Sequence, residues 1–137
     1  FRGRDGFTLI EMLVVLTIIG LIMGFTGPQV MKYFEDSKHK SAKIQVEAIS
    51  GALELFYLDN ARYPTETEGL QALVARPARL SAWNGPYLKN GIVPVDPWGK
   101  AYQYTSIKKG RSYSLAFVAP NGADTTVSPK SAAATKP

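Results

Sequence analysis

The sequence predicts an α+β protein in which a long N-terminal helix, membrane-spanning in its first half, packs on a small antiparallel β-sheet head. Three observations predict it. Residues 7–31 form one apolar run whose single charge is Glu11. From Ala42 to Phe56 apolar residues recur at helical spacing. Beyond Asp96-Pro97-Trp98-Gly99 the pattern changes to strand-like alternation over residues 101–107 and 113–118. The 137 residues are 45% hydrophobic and 20% charged, values that speak against a wholly disordered chain. Cys is absent, which removes disulfides, thiolate zinc sites and thiol nucleophiles. The single His39 removes any triad or metal cluster that needs two. GxSxG, P-loop and HExxH patterns are missing as well. The residues point away from an enzyme.

At about 1.5 Å per helical residue the apolar run reaches roughly 37 Å, enough to cross a ~30 Å hydrocarbon layer. A buried core helix is the alternative, but the rest of the chain is too polar to wrap so apolar a segment. A cleaved secretory signal has an apolar region of only about 7–15 residues. Here the run is longer and leads straight into a helical pattern, so it reads as a retained anchor. Arg2 and Arg4 precede it, and Lys32, Lys38, Lys40 and Lys43 follow, so basic flanks alone do not orient it. The few residues before it are too short for a domain, which places the folded mass on the C-terminal side.

Glu11 is the most informative residue. A carboxylate costs on the order of 2.5–3.5 kcal/mol at the centre of a membrane helix, and less near the interface. Nothing within the anchor offers it a cation. One reading leaves it hydrated at headgroup depth. The other has it await a positive charge on another molecule: a cut between Gly6 and Phe7 would free the Phe7 α-amino group at matching depth. Assembly would then create a dehydrated ion pair, and a lone subunit would carry an unpaired acid.

Farther along, Gly20, Gly24, Gly27 and Pro28 weaken the helix, Pro alone by about 3 kcal/mol in an interior position. Gly20 and Gly24 also have the spacing of a close-packing face. Ala42, Val46, Ile49, Leu53 and Phe56 then mark one helical face at steps of four, three, four and three, with Lys38, Lys40, Lys43, Glu47 and Glu54 elsewhere. Asn60 and Pro64 end the element. One near-continuous helix from Phe7 to Asp59, roughly 80 Å long, is expected.

In the head, Thr65-x-x-Glu68 is a capping box that should open a short helix with Leu70, Leu73 and Val74 inward, stopped by Pro77. Residues 78–95 read as a loop with turn signals at Gly85-Pro86 and Asn90-Gly91. Asp96-Pro97-Trp98-Gly99 suits a tight turn. Lys108-Lys109-Gly110-Arg111 should join two strands as a hairpin. Trp83, Tyr87 and Trp98 read as core or interface anchors. After Pro120 small and polar residues take over, and residues 131–137 are expected to be disordered.

Arg4-Asp5-Gly6 followed by Phe7-Thr8-Leu9-Ile10-Glu11 resembles the class III signal of type IV pilins and pseudopilins. The resemblance implies a type IV pilin-like fold, cleavage after Gly6 by a prepilin peptidase, and N-methylation of Phe7. It also implies that Gly20, Gly24, Gly27 and Pro28 mark a stretch that stays helical in the membrane and loosens in a filament. Leu58-Asp59-Asn60, Arg62-Tyr63-Pro64, Glu68-Gly69-Leu70-Gln71-Ala72-Leu73 and Asp96-Pro97-Trp98-Gly99 narrow the resemblance to the major pseudopilins of type II secretion, core protein G. It covers Gly6 to Val118. It implies a homopolymer, the periplasmic pseudopilus, that pushes folded proteins through an outer-membrane secretin. Implied partners are minor pseudopilins, an inner-membrane assembly platform with its ATPase, and the prepilin peptidase/methyltransferase. The subunit would cross the inner membrane once, head in the periplasm. On this reading residues 1–6 are a leader, 7–31 the transmembrane and filament-core helix, and 32–60 its amphipathic half. Residues 61–120 form the head and 121–137 a C-terminal loop and tail.

One departure concerns calcium. The family closes with an acidic, Gly-rich calcium loop, whereas here Asp124 is the only acid after Asp96. Calcium takes six to eight oxygen ligands. Asn121, Asp124 and backbone carbonyls are the donors for a weak site, and a plain turn is the alternative. No other cofactor is implied. His39, among lysines, reads as a solvated helix residue. Lys38, Lys40 and Lys43, with Lys108, Lys109 and Arg111, read as solvated faces, so no nucleic-acid partner is expected. The runner-up function is a type IV pilin for adhesion, motility or DNA uptake, which the lack of Cys disfavours. A membrane-tethered enzyme ranks last.

Overall fold

A computed structural model describes residues 6–122 and 124–129 of the chain. Helix α1 runs Leu9–Asn60 without interruption, Pro28 included. Proline lacks the N–H that would reach the carbonyl four residues back, and its ring crowds that carbonyl. Gly24 occupies that position. Residues 1–5, 123 and 130–137 lie outside the described residues, and with them most of the expected leader (1–6) and the expected disorder of 131–137.

The chain divides into two compact units after Ser37. In the first, every side chain from Gly6 to Phe34 is exposed. Within this unit the apolar run is therefore not a core helix. Its few polar groups are satisfied locally: the Thr17 and Thr26 hydroxyls donate to the Leu13 and Ile22 carbonyls at 2.7 and 2.9 Å. A helix surrounded by hydrocarbon needs such internal satisfaction, because lipid offers no hydrogen bonds.

The second unit holds the core. α1 buries the expected face, Ala42, Val46, Ile49, Leu53 and Phe56, together with Ala52. Three antiparallel strands lie in chain order: β1 (Gln103–Ile107), β2 (Ser112–Val118) and β3 (Asp124–Val127). On the central strand Tyr113, Leu115 and Phe117 are buried in strict alternation and join the same cluster as Ile49, Leu53 and Phe56. Gln103 lies opposite Ala116, and Val118 opposite Asp124. Tyrosines fasten the head to the helix and to itself within this unit, and the Tyr113 hydroxyl on β2 hydrogen-bonds the Ser50 hydroxyl of α1. The Tyr63 hydroxyl donates to both Glu54 carboxylate oxygens at 3.1 Å, and Tyr102 donates to Gln45 Oε1. The Tyr104 hydroxyl donates to the Pro64 carbonyl at 2.6 Å. Burial pushes the Tyr102 phenol up to about 12, and Tyr63 and Tyr104 rise for the same reason.

Turns follow their residues. Lys108, Lys109 and Gly110 all adopt positive φ at the β1–β2 hairpin, and the Tyr63 N–H donates to the Gly110 carbonyl at 2.8 Å. A Cβ on Gly85 would stand 2.6 Å from Trp83 and 2.9 Å from Tyr87, so the two rings that flank it require glycine. Asp96, 4% exposed, organises its turn: Oδ1 accepts the Trp98 N–H at 3.0 Å and the Lys100 N–H at 2.7 Å. Trp83 donates to the Ala72 carbonyl at 2.7 Å and Tyr87 to Asp59 at 2.7 Å, so both act as anchors.

Three local expectations are corrected. Residues 124–127, assigned to the C-terminal loop, form β3; Thr125, Thr126 and Val127 are β-branched and pair with the open edge of β2. The Thr65 box forms, but Gly69 at φ +58 ends it after one turn, and Leu70–Leu73 is a short 3-10 helix. His39 is half-buried rather than solvated, packed edge-on to Trp98 at 5.1 Å and beside Phe117 at 6.3 Å.

Candidate assembly site

The start of α1 brings together the residues that the sequence singles out. The Thr8 carbonyl accepts the Met12 N–H at 3.2 Å, the first turn of the helix. Thr8 Oγ1 accepts the Glu11 N–H at 3.2 Å, and Glu11 Oε2 accepts the Thr8 N–H at 3.3 Å. This is a reciprocal capping box, and it satisfies two donors that a helix N-terminus otherwise leaves bare. It also holds a negative charge at the positive end of the helix dipole. Phe7 is 77% exposed, and with Ile10, Glu11, Val14 and Val15 it lines a shallow, mostly apolar concavity of about 340 Å³. Gly6 lies beside it, exposed. Among the described residues Glu11 makes no ion pair. Its carboxylate therefore has its local hydrogen bond and an uncompensated charge.

Sequence reasoning passes over Thr8, the hydrogen-bond partner of Glu11. Its signal was available: Thr-x-x-Glu reads the same at position 8 as at position 65. The apolar context drew attention to the charge of Glu11 and hid its hydrogen bond.

Gly20, Gly24, Gly27 and Pro28 all lie inside α1, exposed, and no atom stands within 4 Å of where a Cβ would be on any of the three glycines. Nothing in the described chain requires those glycines to lack a side chain. At the other end, Asn121 is exposed in the β2–β3 turn, and the backbone of Asp124 pairs with Val118. Ala123 and the Asp124 side chain lie outside the described residues. A single carboxylate supplies few of the six to eight oxygens that calcium takes.

The head contains a completed version of the same box. The Thr65 N–H donates to Glu68 Oε2 at 3.1 Å, and the Glu68 N–H donates to Thr65 Oγ1 at 3.2 Å. Arg62 then grips Glu68 with two bonds, at 2.9 and 2.8 Å. The Arg62 hydrogen bond holds the Glu68 carboxyl below its ordinary value, and Glu68 holds the guanidinium above its own.

The family model described as Type II secretion system (T2SS), protein G matches residues 29–134, and the Prokaryotic N-terminal methylation motif matches residues 1–27. The chain is 44% identical over 107 residues to the type II secretion system core protein G of Pseudomonas aeruginosa, covering 75% of this chain and 74% of that protein. Against the protein of the same name from Vibrio cholerae it is 39% identical over 108 residues, covering 77% and 73%. Among solved structures, it is similar to the major pseudopilin from the type 2 secretion system of enterohaemorrhagic Escherichia coli. That match has a TM-score of 0.57 at 27% identity and covers 72% of this chain and 93% of that one. One long N-terminal helix and a three-stranded antiparallel sheet, joined to these matches, place the chain in the type II secretion system protein G family of pseudopilins.

Proposed function

We propose that this chain is a structural subunit that polymerises into the periplasmic pseudopilus of a type II secretion system and so drives export of folded proteins across the outer membrane. The observation that carries the reading is the wholly exposed apolar half of α1, with Glu11 held by Thr8 and matched by no cation among the described residues. In a bilayer such a surface is solvated by lipid; in a filament it is covered by other copies. Cleavage between Gly6 and Phe7 frees an α-amino group next to the concavity that Glu11 lines, and the amine of one subunit pairs with Glu11 of another. Phe7 is the residue that is N-methylated. Residues 1–6 serve as the leader, 7–31 as the transmembrane and filament-core helix, and 32–60 as its amphipathic half. The head faces the periplasm from a single pass through the inner membrane. Its partners are the prepilin peptidase/methyltransferase, minor pseudopilins, and the assembly platform with its ATPase. Gly20, Gly24, Gly27 and Pro28 let the helix loosen when the subunit leaves lipid. No catalytic step belongs to this subunit. The protein G match over residues 29–134 favours this reading over a type IV pilin for adhesion, motility or DNA uptake.

Imaging filaments from cells that overproduce the chain, then weighing their subunits by mass spectrometry, tests the proposal. Subunits should begin at methylated Phe7, and Gly6→Leu should keep the leader and yield no filaments. Filaments built of uncleaved chains would refute it.

A further inference from the structure

The β1–β2 hairpin carries charge that the fold does not use. Lys108 (φ +52), Lys109 (φ +56) and Gly110 (φ +82) follow one another in the left-handed region. The Arg111 N–H closes the turn onto the Lys108 carbonyl at 3.4 Å, and Ile107 pairs with Ser112 at its base. Positive φ at both central residues is the pattern of a primed hairpin turn, for which Asn-Gly is the favoured pair. The fold accounts for Gly110. It is buried, its carbonyl accepts the Tyr63 N–H, and a Cβ there would stand 3.2 Å from the Tyr63 carbonyl oxygen. It does not account for Lys108 and Lys109. A side chain makes left-handed backbone costly, and Gly, Asn or Asp would bear it better. Both lysines are exposed, as is Arg111, and none of the three makes an ion pair among the described residues. Three cations within four residues also repel one another. The fold thus holds strain and repulsion for side chains that it leaves in solvent. Across residues 61–137 ten Lys and Arg stand against four Asp and Glu, so the head as a whole adds to the same field.

We propose that this hairpin docks the acidic face of a folded protein. The inference rests on the export reading above for the source of that protein, which is cargo in transit. Because Gly110 pins the turn to the head, Lys108, Lys109 and Arg111 stand on a fixed base rather than on a loose loop. Charges placed this way speed encounter with an oppositely charged surface and select against like-charged ones. A lipid surface is the poorer fit, since elements that lie on membranes set large apolar side chains beside their cations. Residues 108–111 carry none, and Ile107 before them is only 37% exposed. A single-stranded nucleic acid also fits poorly, because it needs aromatic faces to stack on, and Tyr113, the nearest aromatic residue in sequence, is fully buried.

Lys108→Asn/Lys109→Asn keeps residues that tolerate positive φ and removes two charges. In the full chain, held in neutral detergent at low ionic strength, this variant should bind poly-L-glutamate roughly ten-fold more weakly than wild type. Its thermal midpoint should be unchanged or higher. Lys40→Gln/Lys43→Gln removes the same charge from exposed positions on α1 and should bind as wild type does. In cells, a photo-reactive benzoylphenylalanine in place of Ile107 should form adducts with exported proteins of acidic surface. Equal weakening in the two double variants would show that net charge alone matters and would overturn the site. A lowered midpoint for Lys108→Asn/Lys109→Asn would overturn it as well, because the lysines would then serve the fold. So would adducts with lipid, or only with other copies of the chain. Wild-type protein that forms no filaments would remove the export reading instead, while poly-L-glutamate binding still reads the hairpin by itself.

Discussion

Thr8–Glu11 and Thr65–Glu68 make the same two hydrogen bonds in two very different regions of the molecule. In the head, Arg62 adds a bidentate grip on the carboxylate, and the surrounding unit buries its own core. At the start of α1 the cation is missing among the described residues, and every neighbouring side chain is exposed. One motif is therefore complete within the fold, and the other is complete only as a helix cap. The difference teaches that local hydrogen bonding and charge compensation are separate requirements. The first is met by the chain in both places. The second is met by the chain in the head and, among the described residues, is not met at Glu11.

If the two regions are energetically distinct, a change in the head's core should unfold the head and spare the anchor. Phe56→Ala, which empties a fully buried site, should destabilise the head by about 3–5 kcal/mol. Chemical denaturation followed by tyrosine fluorescence measures this, and membrane insertion should be unchanged. Reduced insertion would break the distinction.

High pH gives the next largest effect and again touches only the head. Tyr102 is raised from 10.0 to about 12 by burial. A phenol with a raised value in the fold stabilises fully below its unfolded value and loses that contribution as pH climbs through the folded one. The head should therefore weaken between about pH 10 and 12, with tyrosinate absorbance rising together with loss of tertiary signal. Ionisation of all tyrosines near pH 10 in a still-folded head would contradict their burial.

The smallest effect sharpens the contrast between the two boxes. Glu68→Gln keeps the capping bonds and removes the charge that Arg62 grips, and should cost about 1 kcal/mol, since the pair is only partly buried. Because the Glu68 carboxyl lies below its ordinary value, its contribution is complete above the ordinary glutamate range and fades as pH falls below it. The Gln variant should lose that part of the acid sensitivity. An unaltered pH profile would show the ion pair to be inert.

Much of the architecture was legible in the residues for identifiable reasons. The core face of α1 is marked by regular apolar spacing from Ala42 to Phe56, long enough that no other pattern competes. The Asp96 turn and the β1–β2 hairpin were legible because Pro97, Gly99 and Gly110 constrain or free the backbone at single positions. β3 was not, because alternation over four residues is invisible among Ser, Thr and Ala neighbours. The short helix after Thr65 was overdrawn because a capping box says where a helix begins and not that Gly69 will stop it. His39 could not be read correctly, since its lysine neighbours say nothing about Trp98 and Phe117, which reach it only through the fold. At the candidate site, charge and motif single out Gly6, Phe7 and Glu11. Thr8 was overlooked beside them.

The central claim is that assembly needs the charge of Glu11 rather than its hydrogen bond, and Glu11→Gln separates the two. Glutamine preserves the capping box with Thr8 and carries no charge. Measured side by side in one strain, the variant should enter the membrane at wild-type levels while filament yield falls to background. Wild-type amounts of filament from the Glu11→Gln variant would contradict the claim and leave Glu11 as a helix cap alone.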